Sequence, residues 1–280
     1  MEGISQTAVF AAQVRAAHAI LDHTPIFEDP YAMVLADVTE KDIEDLFALI
    51  PRACARVARV LPNQRARFVE EEVDRAVQRG VRQYVILGAG LDSFAWRRTD
   101  LMTYIELYEV DHPATQGWKQ QRMSVAGLAH PASLHFVGMD FEIDELQVAM
   151  MEAGFDNELP SLWSCMGVVV YLEVDSVEST LRAAADLGAP GSRMLASYTV
   201  TADLMDADSR EFDQLARAAS AEGGEHHVTA LAPSEIEAMA RGAGWHTAET
   251  VDPSSFAEWF SNRDDGLMPA SYERILVADK

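Results

Sequence analysis

The chain has 280 residues, and its 22 Lys and Arg against 45 Asp and Glu leave a formal net charge of −23 at pH 7. Nucleic acid and anionic membrane surfaces are held by clustered Lys and Arg, so this balance excludes both from the expected partners. Apolar and aromatic residues make up 49% of the chain and charged ones 24%, an ordinary globular composition with ample core.

The start, Met1-Glu2-Gly3-Ile4-Ser5-Gln6, lacks the basic-then-apolar pattern of a signal peptide. Cys54 and Cys165 lie far apart and form no metal or disulfide pattern, which fits a reducing cytoplasm. The first eighty residues read as a helical cover. Residues 7–21 are Ala-rich with one apolar face, and Asp29-Pro30-Tyr31 resembles the opening of a second helix, with Pro near its first turn. Residues 65–79 place Phe68, Val69, Val73, Ala76 and Val77 on one helical face, and Gly80 stands where a C-terminal cap belongs.

From residue 81 the period changes. Short apolar runs at 84–87, 104–110, 134–137, 163–171, 194–199 and 274–278 alternate with helical stretches such as 177–187. That alternation predicts an α/β fold with a largely parallel, doubly wound, Rossmann-like sheet. The run Gly167-Val168-Val169-Val170-Tyr171-Leu172 fits a strand buried on both faces. Residues 201–244 are polar and helical, with a break at Gly223-Gly224, and read as an insertion over one end of the sheet. Residues 247–251 and 274–278 supply the last strands. A single domain follows: helical cover 1–80, sheet core 81–200 and 245–280, insertion 201–244.

The chemistry begins at Leu87-Gly88-Ala89-Gly90-Leu91-Asp92-Ser93. A strand entering Gly-x-Gly makes a tight turn that a ligand approaches closely. Asp111 ends the next predicted strand, about twenty residues on, where Rossmann-type sites place the acid that accepts hydrogen bonds from ribose. Ser93 replaces the third glycine of the dinucleotide fingerprint, and Asp92 puts a carboxylate where a pyrophosphate would lie. The turn therefore disfavours NAD, and with it a nicotinamide-dependent oxidoreductase. It suits S-adenosylmethionine, which carries adenosine, a sulfonium and an ammonium but no phosphate.

Three ordered blocks, Arg65-Ala66-Arg67-Phe68-Val69-Glu70, residues 82–97 through the glycine turn, and Tyr108-Glu109-Val110-Asp111-His112-Pro113-Ala114-Thr115-Gln116, closely resemble the leucine carboxyl methyltransferase family. They are most similar to its bacterial branch, which includes polyketide O-methyltransferases. Ile26-Phe27-Glu28-Asp29-Pro30-Tyr31-Ala32 and Val170-Tyr171-Leu172 fit as well. The resemblance implies a class I methyltransferase sheet whose last strand is inserted by an antiparallel hairpin, and S-adenosylmethionine as methyl donor. It implies that Gly88 and Gly90 cradle the methionine part and that Asp111 holds the ribose. Asp140 and Phe141 would meet adenine, and Arg67 would pair with the donor carboxylate, for which a planar guanidinium is suited. Ala89, Asp92 and His112 complete the expected donor-binding set. Many family members have Glu-Gly where this chain has Met166-Gly167, so Met166 is expected as a pocket wall, and inference from protein-methylating members is weakened.

The acceptor side is less legible. A carboxylate acceptor needs no general base, whereas a hydroxyl is helped by one. His226 and His227 in the insertion and Tyr198 at the end of the fifth strand are the candidates; no metal is implied. The expected activity is O-methylation of a carboxyl or hydroxyl group on a small, polyketide-like molecule. A protein or peptide carboxyl methyltransferase and an inactive donor-binding protein stand as competing classes. Monomer and homodimer are both compatible with the sequence.

Overall fold

A computed structural model describes residues 4–141, 144–222, 224–261 and 263–280. The chain opens with four helices. Ser5 caps α1 (Gln6–Leu21), its hydroxyl accepting the Ala8 N–H at 3.0 Å. After the short α2 (Ala32–Ala36), a capping box of Thr39 and Asp42 starts α3 (Glu40–Leu49). Helix α4 runs Arg52–Gln78, well upstream of the start expected at 65, and Pro62 lies inside it. Proline removes one helical donor. Burial of Val57, Val60 and Leu61 before that defect and of Phe68, Val69 and Val73 after it keeps the helix continuous. Val14, Ala17, Ala32, Ile43, Phe47 and Ala58 join these helices in a small core of their own.

The alternating part follows: β1 (Gln83–Leu87), α5 (Phe94–Arg97), β2 (Glu106–Asp111), α6 (Pro113–Val125), β3 (Leu134–Gly138), α7 (Leu146–Glu152), β4 (Ser161–Cys165), α8 (Val174–Leu187), β5 (Arg193–Thr199), α9 (Ala207–Glu222), α10 (Pro233–Gly242), β6 (Thr247–Val251) and β7 (Glu273–Asp279). Among the described residues the strands form one sheet in the order β3-β2-β1-β4-β5-β7-β6. The first five run parallel, and β7 pairs antiparallel with both β5 and β6. The doubly wound sheet and the inserted last strand match the architecture that the resemblance implies. Every residue of β1 and of β4 is buried, as strands covered on both faces must be.

Two stretches depart from the sequence-based expectation. The run 167–172 is not a strand: β4 stops at Cys165, Gly167 takes φ +72, and Val169–Tyr171 form a 3-10 turn. Its pairing neighbour β1 ends at Leu87, opposite Cys165, and turns away at Gly88. The chain beyond Cys165 therefore has no ladder on that side, and Ser197 Oγ accepts the Gly167 N–H at 2.8 Å instead. An apolar run alone does not separate a strand from a buried turn. The helical stretch 201–244 divides in two: α9 packs on α4, whereas α10 packs on β6 and α8. Of the expected glycine break, Gly223 lies outside the described residues.

Candidate active site

Strand order reverses between β1 and β4, and in such sheets ligands bind at the carboxyl ends of the strands flanking that crevice. The glycine turn after β1 and the Met166-Gly167 turn after β4 face each other across it. Gly88 has φ +67, and a Cβ there would come within 2.3 Å of Val168 Cγ2. Gly90 has φ +49, and its Cβ would stand 3.2 Å from that of Ala8, so the first turn of α1 lies over the glycines. The N–H groups of Gly88 and Ala89 both donate to Val110 O, folding the turn back on β2.

The acid at the end of β2 completes the turn. Asp111 Oδ2 accepts the Gly90 N–H at 2.6 Å and Oδ1 accepts the His112 N–H at 2.7 Å. Each oxygen keeps a further lone pair for a diol. Burial pushes the Asp111 pKa up against the pull of those two hydrogen bonds. His112 is exposed and its Nδ1 caps α6 by accepting from Ala114 N at 3.2 Å. Asp140 and Phe141 follow β3, half-buried; Asp140 N–H donates to Asp144 Oδ2 at 2.8 Å. Asp92 Oδ1 accepts the Phe94 N–H at 2.6 Å and lies 3.6 Å from Arg97. Half-buried Met166 packs against the core next to Gly167.

Beneath the turn lies an ionic cluster that the sequence reading did not find. Asp29, with its side chain fully buried, receives Arg15 Nε at 2.8 Å, Ser93 Oγ at 2.5 Å and the Tyr31 N–H at 3.1 Å, with Arg97 at 3.5 Å. Arg15 Nη2 also donates to Leu91 O at 2.6 Å, and Arg97 pairs with Glu70 at 2.6 Å while lying over the Phe27 ring. Burial alone would raise the Asp29 pKa; Arg15, Arg97 and the Ser93 hydrogen bond outweigh it and hold the carboxyl below its usual 3.8. The cluster ties α1, α4 and the 26–31 segment to the glycine turn. Asp29-Pro30-Tyr31, expected only as a helix start, is its centre. An acidic pair, Glu28-Asp29, inside an otherwise mostly apolar block was the available signal.

Behind β2, Glu109 and Lys119 form a fully buried pair. Burial pushes the Glu109 carboxyl up to about 7, with Asp92 and Asp111 adding to the rise and Lys119 opposing it. Arg67, expected on the donor carboxylate, points elsewhere: its Nε bonds Glu71 at 3.1 Å, its Nη1 bonds Ile26 O at 3.3 Å, and it lies over Trp259. Residues two apart on a helix face different ways, and the α4 guanidinium at the crevice is that of Arg65. A Cβ on Gly167 would meet Arg65 Nη1 at 2.8 Å, and the same nitrogen pairs with Glu273 at 2.8 Å.

On the β4–β5 side a second cluster closes the crevice. Thr7 N–H donates to Glu225 Oε2 at 3.0 Å, and Tyr171 is hydrogen-bonded to Thr7. The Val228 and Thr229 N–H groups both donate to Val170 O, at 2.8 and 3.2 Å, laying the 225–229 loop along the turn after β4. His227 is half-buried there, its Nδ1 3.3 Å from the Tyr272 hydroxyl and its ring edge-on to Tyr171 with centroids 5.2 Å apart. Burial and Arg217 lower its pKa below 6.5, against Asp213. His226 is exposed. Tyr198 does not line the crevice: it is buried, and its hydroxyl pairs with Thr250 of β6 at 3.1 Å. Cys165 is buried, and burial pushes its thiol up to about 12. Among the described residues no group of three or more His, Cys, Asp or Glu is placed to hold a metal ion, and no helix is long and apolar enough to cross a membrane.

Known proteins resemble the chain over most of its length. YktD of Bacillus subtilis (strain 168), described as an S-adenosyl-L-methionine-dependent methyltransferase, is 29% identical over 97% of this chain and 95% of its own length. A Mycobacterium avium (strain 104) protein of the same description is 30% identical over 92% of this chain and 87% of its own. A solved structure from Thermobifida fusca YX, described as a methyltransferase, shares the fold with a TM-score of 0.57 at 19% identity, covering 100% of this chain and 99% of that one. The family model described as leucine carboxyl methyltransferase matches residues 8–185. The chain thus belongs to the leucine carboxyl methyltransferase family of S-adenosylmethionine-dependent methyltransferases.

Proposed function

We propose that the protein is an S-adenosylmethionine-dependent O-methyltransferase acting on a carboxyl or hydroxyl group of a small, polyketide-like molecule. The observation that carries the donor is the charge of the cradle. Asp111 sits on the Gly90 N–H with Asp92 and Glu109 close by, while Arg15, Arg97 and Lys119 are each paired with internal carboxylates. Such a crevice suits a ligand with a ribose diol and positive charge and opposes a pyrophosphate. When bound, the donor supplies a methyl group already activated on a sulfonium. The protein has then to bind, orient and exclude water. Asp111 binds the ribose, the glycine turn lets the donor approach the backbone, and Arg65 offers a guanidinium at the crevice. Asp140 and Phe141 border the adenine end, and the first turn of α1 shields the turn from solvent.

Calorimetry separates the donor classes: S-adenosylmethionine is expected to bind and NAD not. For the acceptor, the protein is incubated with small-molecule extract and methyl-labelled donor, and products are read by mass spectrometry as a one-methylene gain. Binding of NAD in preference to S-adenosylmethionine overturns the donor assignment. Label found only in protein overturns the small-molecule acceptor.

A further inference from the structure

We infer that His227 is the general base of this site, held in its base-competent tautomer by Tyr272, and that the acceptor group is therefore a hydroxyl, such as a phenol or enol, rather than a carboxylate. The inference rests on the methyltransferase reading above and adds to it the class of acceptor.

Position is the first ground. Asp111 ends β2, on one side of the crevice, so the ribose end of the donor lies there and its reactive end lies toward β1 and β4. A continuous set of contacts leads from that point to His227: Gly90 against Ala8, the neighbouring Thr7 hydrogen-bonded to Tyr171, and the Tyr171 ring on the His227 ring. The hydrogen bonds from Val228 and Thr229 to Val170 O fix the loop in that place.

Hydrogen bonding is the second. Nε2 of His227 has no hydrogen-bond partner among the described residues, while Nδ1 faces the Tyr272 hydroxyl. Tyr272 is buried, burial raises its pKa, and it stays protonated as a hydrogen-bonding phenol. Its other neighbour is the hydroxyl of Thr199, buried at the end of β5 and, among the described residues, without a partner at hydrogen-bond distance. A buried hydroxyl left alone is costly. If Tyr272 directs its proton to Thr199, its oxygen is free to accept Nδ1–H from His227, and Nε2 keeps a lone pair. Carboxylate chemistry would give no use to such a relay, since a carboxylate has no proton to surrender.

The surroundings keep the imidazole neutral. From α9 come the Arg217–Asp213 pair, with Arg217 also donating to His227 O at 2.9 Å. From the turn after β4 comes Tyr171; from β7 comes Glu273, neutralised by Arg65; from the loop itself come Glu225, held at Thr7, and exposed His226. Burial and Arg217 outweigh Asp213. In the reaction, Nε2 takes the proton of the acceptor O–H as the new O–CH3 bond forms. The S–CH3 bond breaks with its electron pair passing to sulfur, and the imidazolium later gives its proton to water.

The test compares wild type, His227→Gln and Tyr272→Phe. Nitrogen NMR of histidine-labelled protein, with no donor present, is expected to show neutral His227 protonated on Nδ1 with its midpoint below 6.5, and loss of that tautomer preference in Tyr272→Phe. Calorimetry with S-adenosylmethionine is expected to give unchanged donor affinity in both variants. Methyl transfer to a panel of simple phenols and fatty acids is expected to favour phenols, with His227→Gln slower by about 10²- to 10⁴-fold and lacking the wild-type acidic limb. Neutral His227 protonated on Nε2, methylation confined to the fatty acids, or an unaltered pH profile in His227→Gln overturns the inference. Failure of the wild type to bind the donor overturns the methyltransferase reading instead.

Discussion

The two sides of the crevice are built by different means. The proposed donor side, at the ends of β1, β2 and β3, is made of backbone: two left-handed glycines, N–H groups folded onto Val110 O, and one carboxylate on the Gly90 N–H. Its parts lie within about one βαβ unit of sequence. The proposed acceptor side gathers Thr7, Tyr171, Glu225, His227 and Tyr272, which are remote in sequence and meet only in the folded chain. A backbone cradle tolerates little change in shape, whereas a side-chain cluster tunes chemistry. In this protein the first is braced by the Asp29 cluster, and the second stands beside the buried Arg65–Glu273 pair.

Removal of this bracing is expected to have the largest effect. Asp29→Ala leaves Arg15 and Arg97 short of their buried partner, and is expected to cost roughly 3–5 kcal/mol in urea unfolding. The depressed pKa of Asp29 sets the sign with pH: its contribution is full above the unfolded value near 3.8 and is lost as pH falls through the lower folded value. Asp29→Ala should therefore flatten part of the acid limb of a stability–pH curve. Next comes Gly88→Ala, whose Cβ would fall 2.3 Å from Val168. Overpacking of this kind costs roughly 1–3 kcal/mol, with added left-handed strain. Shortening Val168 to Ala in the same chain should recover the packing share alone, which thermal unfolding of the double variant checks.

Asp111→Ala tests function more than stability. The lost ribose hydrogen bonds should weaken donor binding by roughly 1–3 kcal/mol in calorimetry, and unchanged affinity would sink the ribose assignment. The smallest effect is expected at Arg67. Its partner Glu71 is partly exposed, and such pairs contribute about 0–1 kcal/mol. Arg67→Ala should leave donor affinity intact, whereas Arg65→Ala should lower it. The reverse order would restore the residue that the family resemblance implies.

Much of the donor side was legible from the residues. Gly88, Gly90 and Asp111 announce themselves because a strand, a tight turn and a second strand follow one another in sequence, and local geometry dictates where each lands. The same holds for the alternation that builds the sheet. Legibility fails where distant segments compete. The helix over 65–79 reads as starting there until the packing of residues 52–64 is known, and 167–172 reads as a strand until β1 is seen to turn away at Gly88. Arg65 and Arg67 are indistinguishable in a motif, and helix phase alone decides which faces the crevice.

By itself, then, the sequence determined the class of sheet, the glycine turn with its acid, and the family. Each depends on residue type and on spacing along the chain. The tertiary structure decided the rest: that Asp29, at the opening of α2, is also a buried anchor, that Tyr198 turns to Thr250, and that of two adjacent histidines only His227 is set against Tyr171 and Tyr272. Those outcomes depend on burial and on partners brought from elsewhere in the chain, and spacing carries no record of either.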